Sequence, residues 1–289
     1  MDFNKSIWEN RQIKGEPFLV AHRGVCGANV PCNSITAFKA AINQGADIIE
    51  LDVARAKDGG LFVFHPGMEH VFLKSKPISE LTSSEVEELR LYNQDSVITS
   101  HRVPTLKEVF ELLKDKVYIN VDKYWTDIEG ISKVIRECGV EKQVIVKSYV
   151  DENCISLLKK HATDLMFMPL YWGKDTATDR LISEGINVIG AELLFNSEEC
   201  ECVNDEYMSS MHERKMLLWA NSIIYNEKDV ISAHHTDDIS LGDDPQKGWG
   251  WLIDKGFDII QTDWILMLQN YITARQSLDS WNATLNKSI

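Results

Sequence analysis

With 289 residues, 44% of them hydrophobic and 26% charged, the chain has the composition of one large folded α/β domain, not of a disordered or fibrous segment. A formal net charge of −14 repels phosphate backbones, which argues against nucleic acid as a partner and requires any phosphate substrate to meet a local cation. No run approaches about 18 apolar residues, so stable membrane insertion is not expected. Six dispersed cysteines and a polar N-terminus, MDFNKSIWENRQIKGEP, without a signal-peptide core, make the cytoplasm the expected compartment unless a leader has been removed.

Short apolar runs alternate with amphipathic segments along the chain. The runs are FLVAH (Phe18 to His22), DIIELDV (Asp47 to Val53), VYINVD (Val117 to Asp122), VIVKS (Val144 to Ser148), LMFMPL (Leu165 to Leu170), NVIGAE (Asn187 to Glu192), LLWAN (Leu217 to Asn221) and DIIQTD (Asp258 to Asp263). Strands buried on both faces read this way, as in parallel sheets. Between them, ITAFKAAINQG places Ile35, Phe38, Ala41 and Ile42 at helical spacing, with Gly45 as a stop. Thr105 and Glu108 form a capping box before VFELLK; Thr126 and Glu129 form another, before a helix ending near Gly139.

Eight strands alternating with helices predict a (β/α)8 TIM barrel occupying residues 1–289 as a single domain. A doubly wound open sheet would need a Gly-rich phosphate loop after the first strand, and none is present. Two stretches break the rhythm. An extra strand-like run, LFVFH (Leu61 to His65), leads into an insertion at about 66–102 that includes a short helix, SSEVEELRLY. The polar stretch from Ser232 to Trp251 carries Asp237, Asp238, Asp243 and Asp244 and reads as a solvated loop. Both belong at the C-terminal rim, where barrel chemistry is placed.

Ionisable residues at the ends of apolar strands are costly unless used or paired. The first strand ends in His22-Arg23-Gly24, the second carries Glu50 and Asp52 on one face, the third ends in Asp122, and the extra run ends in His65. Three carboxylates suit one hard divalent cation, Mg²⁺ or Ca²⁺. Two imidazoles suit a general acid and a general base, and Arg23 suits bidentate contact with phosphate oxygens. The set describes cleavage of a small-molecule phosphodiester. Weaker rim candidates for a substrate pocket are Glu192, Trp219 and Asn221; Asp263 is expected to orient a neighbour.

The blocks AHRG (Ala21 to Gly24), Asn33-Ser34 with Ala37-Phe38, and GADIIELDVARAKDGGLFVFH (Gly45 to His65) resemble the signature of glycerophosphodiester phosphodiesterases. VPTLKEVFELL (Val103 to Leu113) and GFDIIQTD (Gly256 to Asp263) resemble later landmarks of that family. The resemblance implies a (β/α)8 barrel with a small insertion after the second strand. It implies that His22 and His65 are the acid–base pair, that Arg23 contacts phosphate, and that Glu50, Asp52 and a third-strand carboxylate hold the metal. The implied products are glycerol 3-phosphate and an alcohol.

Three departures from the family pattern stand out. Cys32 replaces a usual Glu, and Pro66 follows His65 where an Asp is usual. The third strand reads Asp122-Lys123-Tyr124 in place of Glu-x-Lys, so period-two alternation points Tyr124, not Lys123, at the site. Lys147, a cation inside VIVKSY, is the candidate replacement for the phosphate-facing lysine; Lys123 serves if the strand kinks. Two alternatives compete with the hydrolase. One is a phospholipase-D-like lyase on lysophospholipid or sphingomyelin that releases a cyclic phosphate, which would need an apolar groove. The other is a non-catalytic barrel that binds a phosphorylated ligand, motivated by the altered third strand.

Overall fold

The computed structural model describes residues 1–226 and 228–286, the side chains of 278–286 excepted. Its strands are β1 (Phe18–Ala21), β2 (Ile48–Arg55), β3 (Leu61–Val63), β4 (Arg90–Tyr92), β5 (Ile98–Arg102), β6 (Tyr118–Asp122), β7 (Val144–Ser148), β8 (Met166–Trp172), β9 (Gly190–Leu194), β10 (Leu217–Asn221) and β11 (Ile259–Thr262). Eight of these, β1, β2 and β6 to β11, lie parallel in one sheet, and β1 pairs with both β2 and β11. That double pairing closes the ring into a (β/α)8 barrel. Each predicted apolar run supplies one of the eight strands.

Alternation sorts every strand into an inner and an outer face. The inner face holds Phe18, Val20, Ile48, Tyr118, Ile145, Met168, Leu217, Trp219 and Ile259 in one apolar cluster. The outer face packs against the helices in a larger cluster that includes Leu51, Val121, Phe110 and Ile131. Helix Ile7–Lys14 places Ile7 in the inner cluster, and Asn10 Nδ2 donates to Tyr118 Oη at 2.7 Å, so this helix stoppers the N-terminal end. Gly190 is required where β9 meets β10, because a Cβ there would come within 2.0 Å of Leu217 O.

Local expectations hold in some places and move in others. The Thr105–Glu108 capping box starts helix Leu106–Leu113 as predicted. The second box does not form. Asp127, not Thr126, caps helix Ile128–Cys138, its side chain accepting from Gly130 N while also pairing with Arg55. In the insertion, the helix spans Ser83–Glu88; Arg90–Tyr92 leaves it to pair antiparallel with Ile98–Arg102, which buries Leu91. The stretch before β11 is partly helical, with segments Asp237–Gly242 and Trp251–Lys255. Among the described residues, no helix is long and apolar enough to cross a membrane.

Candidate active site

The C-terminal ends of the strands open into a cavity whose wall includes His22, Arg23, Glu50, His65, Asp122, Lys123, Lys147, Glu192 and Asn221. Its carboxylates come from adjacent strands. Asp52 of β2 is in register with Asp122 of β6, and Glu50 lies two positions earlier on the same face. One oxygen from each of Glu50, Asp52 and Asp122 falls within 4.8 Å of the other two.

The fixing of these carboxylates is visible atom by atom. Arg23 N donates to Glu50 Oε2 at 2.9 Å, and Asn33 Nδ2 donates to Asp52 Oδ2 at 2.9 Å. Arg23 Nε stands 3.0 Å from Asp52 Oδ2, an ion pair without hydrogen-bond alignment. Asp52 Oδ1 and Asp122 Oδ1 are buried and have no hydrogen-bond partner. A buried carboxylate oxygen left bare costs free energy unless a cation meets it. All-oxygen donors with two bare lone-pair sites fit one hard divalent ion.

Electrostatics supports the same reading. Burial, then the neighbouring charge of Asp52, pushes the Glu50 carboxyl up. Burial also works against the charge of Asp122, but Lys147 and Lys123 outweigh it and hold that carboxyl low. The lysines compensate Asp122, whereas buried Glu50 beside Asp52 is left short of positive charge.

The loop after β1 requires unusual backbone. Arg23 and Asn33 both adopt positive φ, at 57°, and Gly24 has φ 78°. A Cβ on Gly24 would meet the backbone of Ala37 at 2.8 Å, so the Gly of His-Arg-Gly lets the loop press on helix Ile35–Asn43. Asn33 was legible in the motif, but its grip on Asp52 is visible only in three dimensions.

Both histidines face this cavity. His22 Nδ1 donates to Asp263 Oδ1 at 2.8 Å, which makes Asp263 the orienting neighbour expected of it. Burial opposes the His22 imidazolium, but the Asp263 bond and the field of Glu50 outweigh burial and raise its pKa. His65 Nε2 is 3.9 Å from Asp52 Oδ1, and its pKa is lowered by burial despite Asp52, with Arg23 and Lys123 adding to the decrease. Asp263 is itself held by Asp237, which accepts from Asp263 N, Ser222 Oγ, Thr262 Oγ1 and Trp249 Nε1. The sequence treated Asp237 as part of a solvated loop. It is buried, and desolvation pushes its carboxyl up to about 6.

Several expectations need correction. Tyr124 does not point inward: the strand ends at Asp122, Lys123 turns with φ 58° and ψ 23°, and Tyr124 packs in the outer core against Ser132. That turn swings Lys123 onto the cavity wall, with Nζ 3.2 Å from Asp122 Oδ2. Lys147 also lines the cavity, buried, with Nζ 2.8 Å from Glu192 Oε2. Burial opposes its charge, but Glu192, Asp122 and Glu50 raise its pKa.

Trp219 does not line the cavity. It sits one inner layer deeper, fully buried, under Lys147 Nζ at 5.3 Å, and Nε1 donates to Asn221 Oδ1 at 3.3 Å. Asn221 and Glu192 do line the cavity and are joined by a 2.8 Å hydrogen bond. His235 stacks on Trp251 with centroids 3.8 Å apart and bonds to Lys247 O and Glu198, so His235 belongs to a packed corner. Cys32 touches a neighbouring cavity with Arg23, and its bond to Cys26 and its burial push the thiol up, away from nucleophilic chemistry.

Residues 22–220 match the family model described as the Glycerophosphoryl diester phosphodiesterase family. A glycerophosphodiester phosphodiesterase of Caldanaerobacter subterraneus subsp. tengcongensis is 37% identical over 164 residues, 53% of this chain and 66% of that protein. One from Bacillus altitudinis is 32% identical over 133 residues, 44% of this chain and 50% of that protein. The matched regions thus span two thirds or less of these relatives' length. Among solved structures, a glycerophosphoryl diester phosphodiesterase from Parabacteroides distasonis superposes with a TM-score of 0.74 at 21% identity, covering 90% of this chain and 87% of that one. A phosphodiesterase from Oleispira antarctica, solved with the product sn-glycerol-3-phosphate, gives 0.66 at 17% identity over 90% of this chain and 98% of that one. These likenesses carry the fold; the family match rests on sequence, and it covers His22, Glu50, Asp52, His65 and Asp122. The chain belongs to the glycerophosphoryl diester phosphodiesterase family.

Proposed function

We propose that this chain hydrolyses a glycerophosphodiester to glycerol 3-phosphate and an alcohol, with one divalent cation and a pair of histidines. The observation that carries the reading is the meeting of Glu50, Asp52 and Asp122 around one point, in a cavity walled by both His22 and His65. The names of the relatives, and the product held by the Oleispira antarctica phosphodiesterase, point to the same substrate class.

Glu50, Asp52 and Asp122 would hold the Mg²⁺ or Ca²⁺. When bound, that ion polarises a phosphoryl oxygen and offsets the field of a chain carrying −14. Arg23, with Lys147 and Lys123, draws the phosphate into the cavity and balances charge that grows on its oxygens. Asp263 fixes the His22 tautomer by accepting a hydrogen bond from Nδ1–H, which leaves Nε2 free to accept a proton from the attacking hydroxyl. The attacker is either water or the glycerol hydroxyl next to the ester, the latter giving a cyclic phosphate that water then opens. His65, whose lowered pKa makes its imidazolium the stronger acid, gives a proton to the departing alcohol. Six free cysteines fit a reducing, cytoplasmic setting.

A glycerol 3-phosphate release assay on glycerophosphoethanolamine tests the reading. Turnover should vanish in EDTA and return with Mg²⁺ or Ca²⁺; EDTA-resistant turnover removes the cation. Unchanged turnover in both His22→Ala and His65→Ala sinks the acid–base assignment. Phosphorus NMR of the products separates a monoester from a cyclic diester.

A further inference from the structure

The cavity that holds His22 and His65 has a second, chemically different side. Leu170 at β8, Leu194 at β9, and Ile223 and Ile231 on the loop after β10 pack on one another as a cluster apart from the two large cores. All four line the cavity, and none is more than 9% exposed. The wall is built into the fold: Phe195 N donates to Ile231 O at 3.2 Å and Ala233 N to Phe195 O at 2.9 Å, strapping the loop along β9. Trp125, Tyr149, Trp172 and Tyr225 stand at the mouth, each between 38% and 56% exposed.

Isolated exposed apolar residues are ordinary, but four aromatics continuous with a buried aliphatic wall inside a catalytic cavity are a patch. A glycerol phosphate leaves this patch unused. Its phosphate and hydroxyls match the side bearing Arg23, the carboxylates and the lysines. The aliphatic wall has no charge to meet a polar alcohol such as a sugar.

We infer that this side is a subsite for a hydrocarbon group, so that the preferred substrate is a glycerophosphodiester whose alcohol carries an alkyl or aryl chain. The inference rests on the phosphodiesterase reading above. Aromatic rims also attract quaternary ammonium groups. Here the Trp125 ring already has the protein's own cation, Lys123 Nζ, at 5.1 Å, and the wall behind the rim is aliphatic. Both features favour a neutral hydrocarbon.

The test compares kcat/KM for sn-glycerol 3-phosphate esters of ethanol, butanol, hexanol and octanol, each below its aggregation concentration. Burial of each added methylene should raise kcat/KM about two- to fourfold until the subsite fills. A choline ester and its neutral isostere, the 3,3-dimethylbutanol ester, should react within about threefold of each other, as expected of a site that reads area and not charge. Turnover of the ethyl ester with a flat or falling series overturns this inference alone. Choline favoured more than about tenfold over its isostere does the same, in favour of a cation site. Turnover of none of the esters overturns this inference and the phosphodiesterase reading together. Ile223→Asn should lower the hexyl-to-ethyl ratio. That ratio, taken within one preparation, is independent of how much of the variant folds, and an unchanged ratio overturns the subsite.

Discussion

The two halves of the barrel rim are built from the same kind of strand and end in opposite chemistry. Where β1, β2 and β6 end, the inner positions hold His22, Glu50, Asp52 and Asp122, braced by Arg23 and Asn33. Where β8, β9 and β10 end, Leu170, Leu194 and Ile223, closed by Ile231, form an aliphatic wall in the same cavity as the Glu192–Asn221 pair. On the first half, every polar atom is costly unless a partner meets it, so position is fixed by hydrogen bonds and one exchange is felt everywhere. On the second half, contact is non-directional and substitutions act in proportion to area. In the readings proposed above, chemistry belongs to the first and selectivity to the second.

The comparison fails most visibly if the charged half is not the chemical one. His22→Ala and His65→Ala should each lower kcat by about 10²- to 10⁴-fold on the ethyl ester, with circular dichroism unchanged. A loss under about tenfold in both would move catalysis elsewhere.

Asp263→Asn comes next, with an expected loss of roughly 10- to 100-fold and a change in pH profile. The raised pKa of His22 and the lowered pKa of His65 place the alkaline limb of kcat/KM on His22, whichever histidine is the acid. Removing the Asp263 carboxylate lowers the His22 pKa, so that limb should move to lower pH while the acidic limb stays. A limb that does not move detaches Asp263 from catalysis.

Asp237→Ala leaves three buried side-chain donors and one backbone N–H without their acceptor, and should cost about 3 kcal/mol or more in urea unfolding. A cost below about 0.5 kcal/mol, the size of an ordinary surface substitution, would mean that the corner behind His22 is not rigid.

The smallest effect concerns metal-free stability. Glu50 has a folded pKa raised above its unfolded value, so it favours folding in its protonated form. Its contribution is full below the ordinary carboxylate range and is lost as pH rises through the raised value. In EDTA, the chain should therefore lose thermal stability across that window, and Glu50→Gln should remove part of the loss, about 2–4 °C. An identical slope in the variant would show that the three carboxylates do not crowd one another.

The legibility of the two halves differs for the same reason. Glu50, Asp52 and Asp122 stand out in the chain because acids inside apolar strands have no cheap structural excuse. Leu170, Leu194 and Ile223 read as ordinary core, since nothing in a linear pattern separates an aliphatic residue that fills a core from one that walls a cavity. Trp219 was misread as lining by the same ambiguity: it shares the inner face with Asn221, but depth along the barrel axis is not written in alternation. Alternation alone points Tyr124 at the site, and only the left-handed turn at the end of β6 reverses parity there and brings Lys123 to the cavity instead.

Strand parity, burial and the chemistry of side chains at strand ends follow from the order of residues alone, because alternation is a local property of extended backbone. From it came the eight-stranded barrel, the acid cluster and the histidine pair. Which wall each residue faces, how deep it lies, and that Asp237 steadies His22 through Asp263 were decided only when the ring closed, since the Asp263–His22 bond joins residues 241 positions apart and the Asp237–Asp263 bond joins residues 26 apart, contacts that no local pattern encodes.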